Sequence, residues 1–389
     1  MIKEIKIENF KSIQSLNLEL GRLNVFIGAN GSGKSNILEG IAFGAAAMSG
    51  RVENLFLSAR GVRISEPNLM LSAFKNAQKL GNFLFKNTDS KFLKSDVRLE
   101  DNGWKSLPYL DKVENNILME NEFARNLQVS SIGDLQIDKR IVKVGEKLPE
   151  DILVQWEDMI TSQARRIIQF LFELGLSDYM IFAPENTALR RFEEEGQIEP
   201  LNIDGKGLFK LLQKTIKQKP EYFAKINKHL QLLDWFEGFE IPNDLMFTER
   251  RIKIKDQFLQ EGVQYIDQRS ANEGFLYLLF YLTLFISDET PKFFAIDNID
   301  NAMNPKLGSE LIRVLTKLAK EHDKQTILTT HNPSVLDGLD LSDDEQRLFV
   351  ISRNKSGHTQ AIRVPYKESD ERLSTRFIRG AIGGLPKNF

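Results

Sequence analysis

Gly28-Ala29-Asn30-Gly31-Ser32-Gly33-Lys34-Ser35 fits the phosphate-binding pattern G-x-x-x-x-G-K-[ST] at every fixed position. Its surroundings fit as well. The apolar run Leu23 to Ile27 predicts a strand before it, and Asn36 to Met48 predicts a helix after it. Glycines let the backbone curl until several N–H groups face one anion, and a helix N-terminus adds positive potential. In that setting Lys34 reaches the β- and γ-phosphates of a nucleotide and Ser35 holds Mg²⁺. Strand, glycine-rich loop and helix in this order predict an α/β, nucleotide-binding core.

The chain has 389 residues, room for one large domain or several small ones. Its 41% hydrophobic and 27% charged residues are ordinary for a soluble globular protein. A net charge of −2 supplies no global attraction to nucleic acid or anionic membranes, so DNA contact would need a local basic patch. The absence of cysteine excludes disulfides, zinc ribbons and thiol catalysis together, in keeping with a reducing compartment. Met1 to Phe10 alternates charged and apolar residues as a strand does, unlike a signal peptide. The most apolar run, Phe275 to Ile286, is too short to span a bilayer. A cytoplasmic protein without a membrane anchor is expected.

Ile2, Ile5 and Ile7, then Leu16, Leu18 and Leu20, predict two short strands ahead of the loop. Residues 76–180 break the pattern. They read as an inserted accessory lobe between the N-terminal part of the core (1–75) and its C-terminal part (181–389). Inside the lobe, Asp96 to Trp104 predicts a hairpin around Asn102-Gly103, and Trp156 to Leu174 an amphipathic helix. Met180 to Pro184 resumes the core as a buried strand. Glu193 to Gly196 reads as a loop, and Gly207 to Gln218 as a helix stopped by Pro220. In Arg250 to Lys255 the cations share one face of a strand, either a solvated edge strand or a nucleic-acid track. A helix (Ser270 to Ile286), a strand (Lys292 to Ile296), a helix (Glu310 to His322) and a strand (Gln325 to Thr329) come next. Arg347 to Ser352 and Thr359 to Val364 close the series as a hairpin around Gly357.

The last third carries a constellation. Phe293 to Asp297 is an apolar strand ending in a carboxylate, the form of a second Mg²⁺ partner in phosphate-loop enzymes. Thr326 to His331 is another, ending in a histidine, and Ser270 heads the helix upstream. With Asn9-Phe10-Lys11-Ser12 before the loop and Gly31-Ser32-Gly33-Lys34-Ser35-Asn36 in it, this set resembles the ATP-binding-cassette ATPases. The similarity is to the branch holding the SMC, RecF and OLD-like heads. Ala183-Pro184-Glu185 with Leu189-Arg190, and Asp204-Gly205 before a helix, look like it too. The resemblance covers roughly residues 1–75 and 180–365. It implies an ABC-type head with a core sheet flanked by helices, an N-terminal antiparallel β lobe and an inserted lobe.

For the site, the resemblance implies ATP and Mg²⁺. Asn30, Gly31, Ser32, Gly33, Lys34, Ser35 and Asn36 would surround the phosphates with Lys11 nearby, and Ser35 and Asp297 would hold the metal. His331 stands as the switch histidine that senses the γ-phosphate; as a lone histidine it also reads as a core residue. Ser270-Ala271-Asn272-Glu273 stands at the family signature. There Ser270, Asn272 and Glu273 would close over the nucleotide of the opposite subunit, giving an ATP-sandwiched homodimer crossed by the loop Asn301 to Asn304. Two positions depart from the pattern. Asn272 replaces a glycine, and asparagine tolerates the left-handed region. Asn298 replaces the glutamate that deprotonates water, which predicts slow hydrolysis; Asp300 is a weaker substitute.

No coiled coil and no nuclease domain is legible, and the cluster Asp340, Asp343, Asp344 and Glu345 reads as a solvated loop. Compact heads of this kind resemble ATPase subunits of bacterial anti-phage systems of the Septu and retron-linked type. The implied function is an ATP-gated regulatory scaffold for a separate effector, a nuclease. The alternative is a RecF-like clamp on DNA; a fast ATP hydrolase is disfavoured by Asn298. A higher oligomer stays open.

Overall fold

The computed structural model describes residues 1–72, 80–100, 103–111, 162, 164–191, 201–242, 251–260, 263, 265–368 and 371–383. Two compact units divide the chain. One comprises 1–20, 30–179 and 351–362; the other comprises 21–29, 180–350 and 363–389.

In the first unit, β1 (Ile2–Phe10) and β2 (Ile13–Glu19) pair antiparallel, with Phe10 opposite Ile13, so Lys11-Ser12 forms the turn. β1 also pairs with β4 (Leu80–Asn87), and β5 (Phe92–Glu100) and β6 (Gly103–Asp111) complete a five-stranded sheet in the order β2-β1-β4-β5-β6. Residues 76–180 thus supply three strands to the sheet that the N-terminus begins. The hairpin expected around Asn102-Gly103 is the β5–β6 pair, whose turn at 101–102 lies outside the described residues. The helix α1 (Lys34–Met48) packs on this sheet through small residues. A Cβ on Gly40 would meet Ile7 at 3.0 Å, and one on Gly44 would meet the Phe83 ring at 2.8 Å. Phe43 fills the remaining space against Phe10, Phe83 and Trp104, with ring centroids 5.2–5.7 Å apart. Short helices α2 (Asn54–Ala59) and α3 (Pro67–Met70) come after it. The expected amphipathic helix is described over 164–173 (α4); residues 156–161 lie outside the described residues.

The second unit centres on the mixed core sheet. Its strands are β3 (Leu23–Ile27), β7 (Ile181–Phe182), β11 (Phe293–Ile296), β12 (Gln325–Thr330) and β13 (Gln346–Arg353, in this unit up to Val350), in the order β13-β3-β12-β11-β7; β14 (Thr359–Val364) follows β13 in the strand order, and its residues up to Ile362 belong to the first unit. β3 runs parallel to both β12 and β13, and β11 parallel to β12 and β7. Strands covered on both faces need near-continuous apolar runs, and β3 and β11 are buried throughout. Around the sheet lie α5 (Asn186–Arg190), α6 (Leu208–Gln218), α7 (Pro220–Leu230), α8 (Glu273–Ile286), α9 (Pro305–Glu321) and α10 (Leu373–Ile378). Every residue of α8 from Gly274 onward is buried, so the most apolar stretch of the chain is a core helix.

A small antiparallel sheet, β10-β9-β8, is built from β8 (Phe236–Glu240), β9 (Lys253–Asp256) and β10 (Ile266–Asp267). The basic stretch is therefore its middle strand and not an edge. Lys253 faces Glu240 on one side and Asp267 on the other, and Lys255 pairs with Glu240 at 2.7 Å. Glu240 and Asp267 thus offset part of the charge that Arg251, Lys253 and Lys255 carry; Arg250 lies outside the described residues. Among the described residues no helix is long and apolar enough to cross a membrane.

Candidate functional site

The phosphate-loop pattern leaves β3 and enters α1 through backbone that only glycine adopts easily, with φ of 74° at Gly31 and 105° at Gly33. A Cβ on Gly33 would also sit 2.0 Å from Thr359 Oγ1. Gly33 caps α1; no side chain caps that end, and no carboxylate lies in its first turn to offset the positive end of the helix dipole. The Ser32 hydroxyl is buried and has no hydrogen-bond partner.

Within this unit a relay of hydroxyls fixes the loop. Asn36 Nδ2 donates to Ser12 Oγ (2.6 Å), Ser12 Oγ shares a hydrogen bond with Thr359 Oγ1 (2.7 Å), and Thr359 Oγ1 donates to the Ser32 carbonyl (3.2 Å). Beside it, Lys11 and Arg63 both pair with Glu39 of α1, a carboxylate only 2% exposed, and Lys11 Nζ also donates to the Arg63 carbonyl. Lys11 is thus placed next to the α1 helix, its backbone left-handed at φ 46°.

In the second unit the parallel register Ile296↔Leu328 sets Asp297 beside Thr329. Thr329 Oγ1 donates to Asp297 Oδ1 and accepts the Asn298 N–H at 2.9 Å, while the Ile299 N–H reaches the Thr329 carbonyl. Asn298 itself has φ 58°. Asp300 Oδ1 accepts the His331 N–H at 3.4 Å. Asp297, Asn298, Asp300 and His331 are thereby gathered at the carboxyl ends of β11 and β12, the edge where open α/β sheets bind ligands. In α8 the fully buried Tyr281 hydroxyl has no hydrogen-bond partner; burial first, then Tyr277 and Asp300, pushes its pKa well up.

The signature stretch opens α8. Ser270 is exposed, and Asn272 is the N-cap, its side chain accepting the Gly274 N–H at 2.8 Å. Asn272 has φ −60° and ψ 141°, so the left-handed tolerance invoked for it is not what this position uses; an extended backbone is what an N-cap requires. Sequence reasoning assigns no role to Thr329 or Thr359. Thr329 is within its reach, since two parallel strands ending in line put the residue after Ile296 beside the residue after Leu328. Thr359 is not, because only the fold brings it to the loop.

A family model described as "AAA domain, putative AbiEii toxin, Type IV TA system" matches residues 23–337. The chain belongs to that AAA family. An uncharacterised protein of Methanocaldococcus jannaschii, MJECL10, is 30% identical over 125 residues, covering 27% of this chain and 57% of that protein. The chain therefore matches only a little more than half the length of that relative. Among solved structures, an SMC head bound to the C-winged helix domain of ScpA aligns with TM-score 0.56 and 15% identity, over 94% of this chain and 98% of that one. An SMC head with an extended coiled coil from Pyrococcus furiosus, bound to the C-terminal domain of ScpA, aligns with TM-score 0.49 and 16% identity, over 98% and 99%. This AAA-family chain carries an AAA-type ATPase domain with the mixed α/β fold seen in SMC heads.

Proposed function

We propose that this chain is an ATP- and Mg²⁺-dependent switch. Bound to ATP, two copies close head to head, hydrolyse slowly, and hold a separate effector, a nuclease, in anti-phage defence. The observation that carries this reading is the side chain at position 298. Asp297 is held by Thr329 at the end of β11, and the next residue offers an amide. An amide can hydrogen-bond a water but cannot take its proton, and loss of a general base typically costs roughly 10²–10⁴-fold in rate.

The residues suit the ligands. The Gly31 and Gly33 backbone, the α1 terminus that no side chain caps and the unpartnered Ser32 hydroxyl fit a polyphosphate. Mg²⁺, when bound, would neutralise phosphate charge, with Ser35 and Asp297 as the groups to hold it. Lys34 would neutralise the β- and γ-phosphates. Exposed Ser270, at the head of α8, would meet the partner's nucleotide. The resemblance to heads of anti-phage systems motivates the effector, and the SMC head bound to a domain of ScpA supports a docked protein partner.

Light scattering with and without ATP tests the switch. The mass should double with ATP in the wild type and not in Ser270→Arg, and turnover should stay below about one per second, the low end of enzyme rates. An ATP-indifferent mass, or faster turnover, overturns the reading.

A further inference from the structure

The loop before α8 is gripped from α5. Arg190 Nη1 donates to the carbonyls of Gln268 (3.2 Å) and Arg269 (2.7 Å), and its Nε donates to Asn186 Oδ1 (2.7 Å). Asn186 Nδ2 in turn donates to Glu273 Oε1. Asn186 and Arg190 are one helical turn apart, so a single face of α5 takes hold of the loop at both ends.

The opposite side is also fixed. Each carbonyl held by Arg190 shares a planar peptide with the next residue's N–H. Those two N–H groups, of Arg269 and Ser270, both reach Asp267 Oδ1, at 3.0 and 3.2 Å. The Gln268 side chain, 1% exposed, accepts the Ile252 N–H at 3.0 Å. Two successive peptide planes are bracketed, and Ser270 is left exposed at the end of them.

We propose that Arg190, oriented by Asn186, is the positioning residue that presents Ser270 and the N-terminus of α8 to the nucleotide of a second copy. This rests on the ATP-closed dimer proposed above. A guanidinium suits the task because its rigid fork can bind two carbonyls and an amide at once; an ammonium offers a point charge on a flexible stem.

Three measurements on Arg190→Met, Arg190→Lys and the wild type decide it. Binding of a fluorescent ATP analogue to the monomer should stay within about twofold of wild type, since Arg190 is remote in sequence from the phosphate loop and acts on the signature. ATP-driven dimerisation should weaken by about tenfold or more in both variants, the effect of losing charge-assisted hydrogen bonds. Mixing Arg190→Met with Lys34→Ala chains should restore ATP-dependent association, because one composite site in the mixed dimer is then whole. Should Arg190→Met fail to fold, Asn186→Ala removes one anchor only and carries the same test. Dimerisation of wild-type strength in the variants overturns the proposal, and so does a mixture that fails to recover while both chains are folded. A wild type that ignores ATP overturns the dimer reading beneath it.

Discussion

At position 298 the backbone and the side chain agree with each other. The left-handed φ of 58° is one that asparagine visits more readily than most residues, and the Asn298 N–H is held by Thr329 Oγ1. What the side chain lacks is a basic oxygen. Asn298→Glu supplies one, at the strain of a left-handed glutamate, about 1–2 kcal/mol. We therefore expect kcat to rise by about 10²-fold, the lower end of what a general base contributes. A phosphate-release assay reads it directly. If the rate is unchanged while nucleotide still binds, the amide is not what limits hydrolysis, and the slow turnover proposed above needs another cause.

The β11–β12 pair shows how an element, and not a single side chain, makes this end of the sheet. Its parallel register brings the Thr329 hydroxyl between the Asp297 carboxylate and the Asn298 N–H. Thr329→Val keeps the shape and removes both hydrogen bonds in a segment where Thr329 is fully buried. The loss expected in urea unfolding is about 1–3 kcal/mol, the penalty for orphaned polar groups; a loss under about half of that would mean that water replaces the hydroxyl. Elements such as these are legible in the sequence because a buried parallel strand must be an apolar run, and because the loop pattern demands a helix after β3. Helix starts are less so. α8 begins at Glu273 and not at Ser270, because Asn272 is the cap; α9 begins at Pro305, because Asn304 caps it and accepts the Leu307 N–H, a signal the sequence carries in Asn304-Pro305. Pairings between distant segments are not legible at all. β9 becomes a middle strand through two short partners with little pattern of their own, and Thr359 reaches Ser32 only through the fold.

Lys324 ties the stability of the whole chain to pH. It is 2% exposed, and its ammonium donates to the carbonyls of Ser287 and Thr290 at 2.8 Å and to Thr290 Oγ1 at 2.9 Å. These acceptors are neutral. Burial pulls the Lys324 pKa from 10.5 down to about 8, against the opposing pull of Asp288. The unfolded chain keeps this proton up to about 10.5, whereas the folded chain releases it near 8. Between those values the unfolded state binds more protons, so this group makes stability rise with pH through the window. Below it both states are protonated and the contribution is flat. Lys324→Met removes the titration while keeping an unbranched stem. Urea unfolding of both chains across the window should therefore show the wild type gaining on the variant as pH rises, by at most about 3 kcal/mol. Other titrating groups are common to both chains and cancel in the difference. A difference that stays level with pH would mean that the carbonyl cage solvates the ammonium as well as water does, and that the cluster joining the end of α8 to the start of β12 is a rigid clasp insensitive to pH.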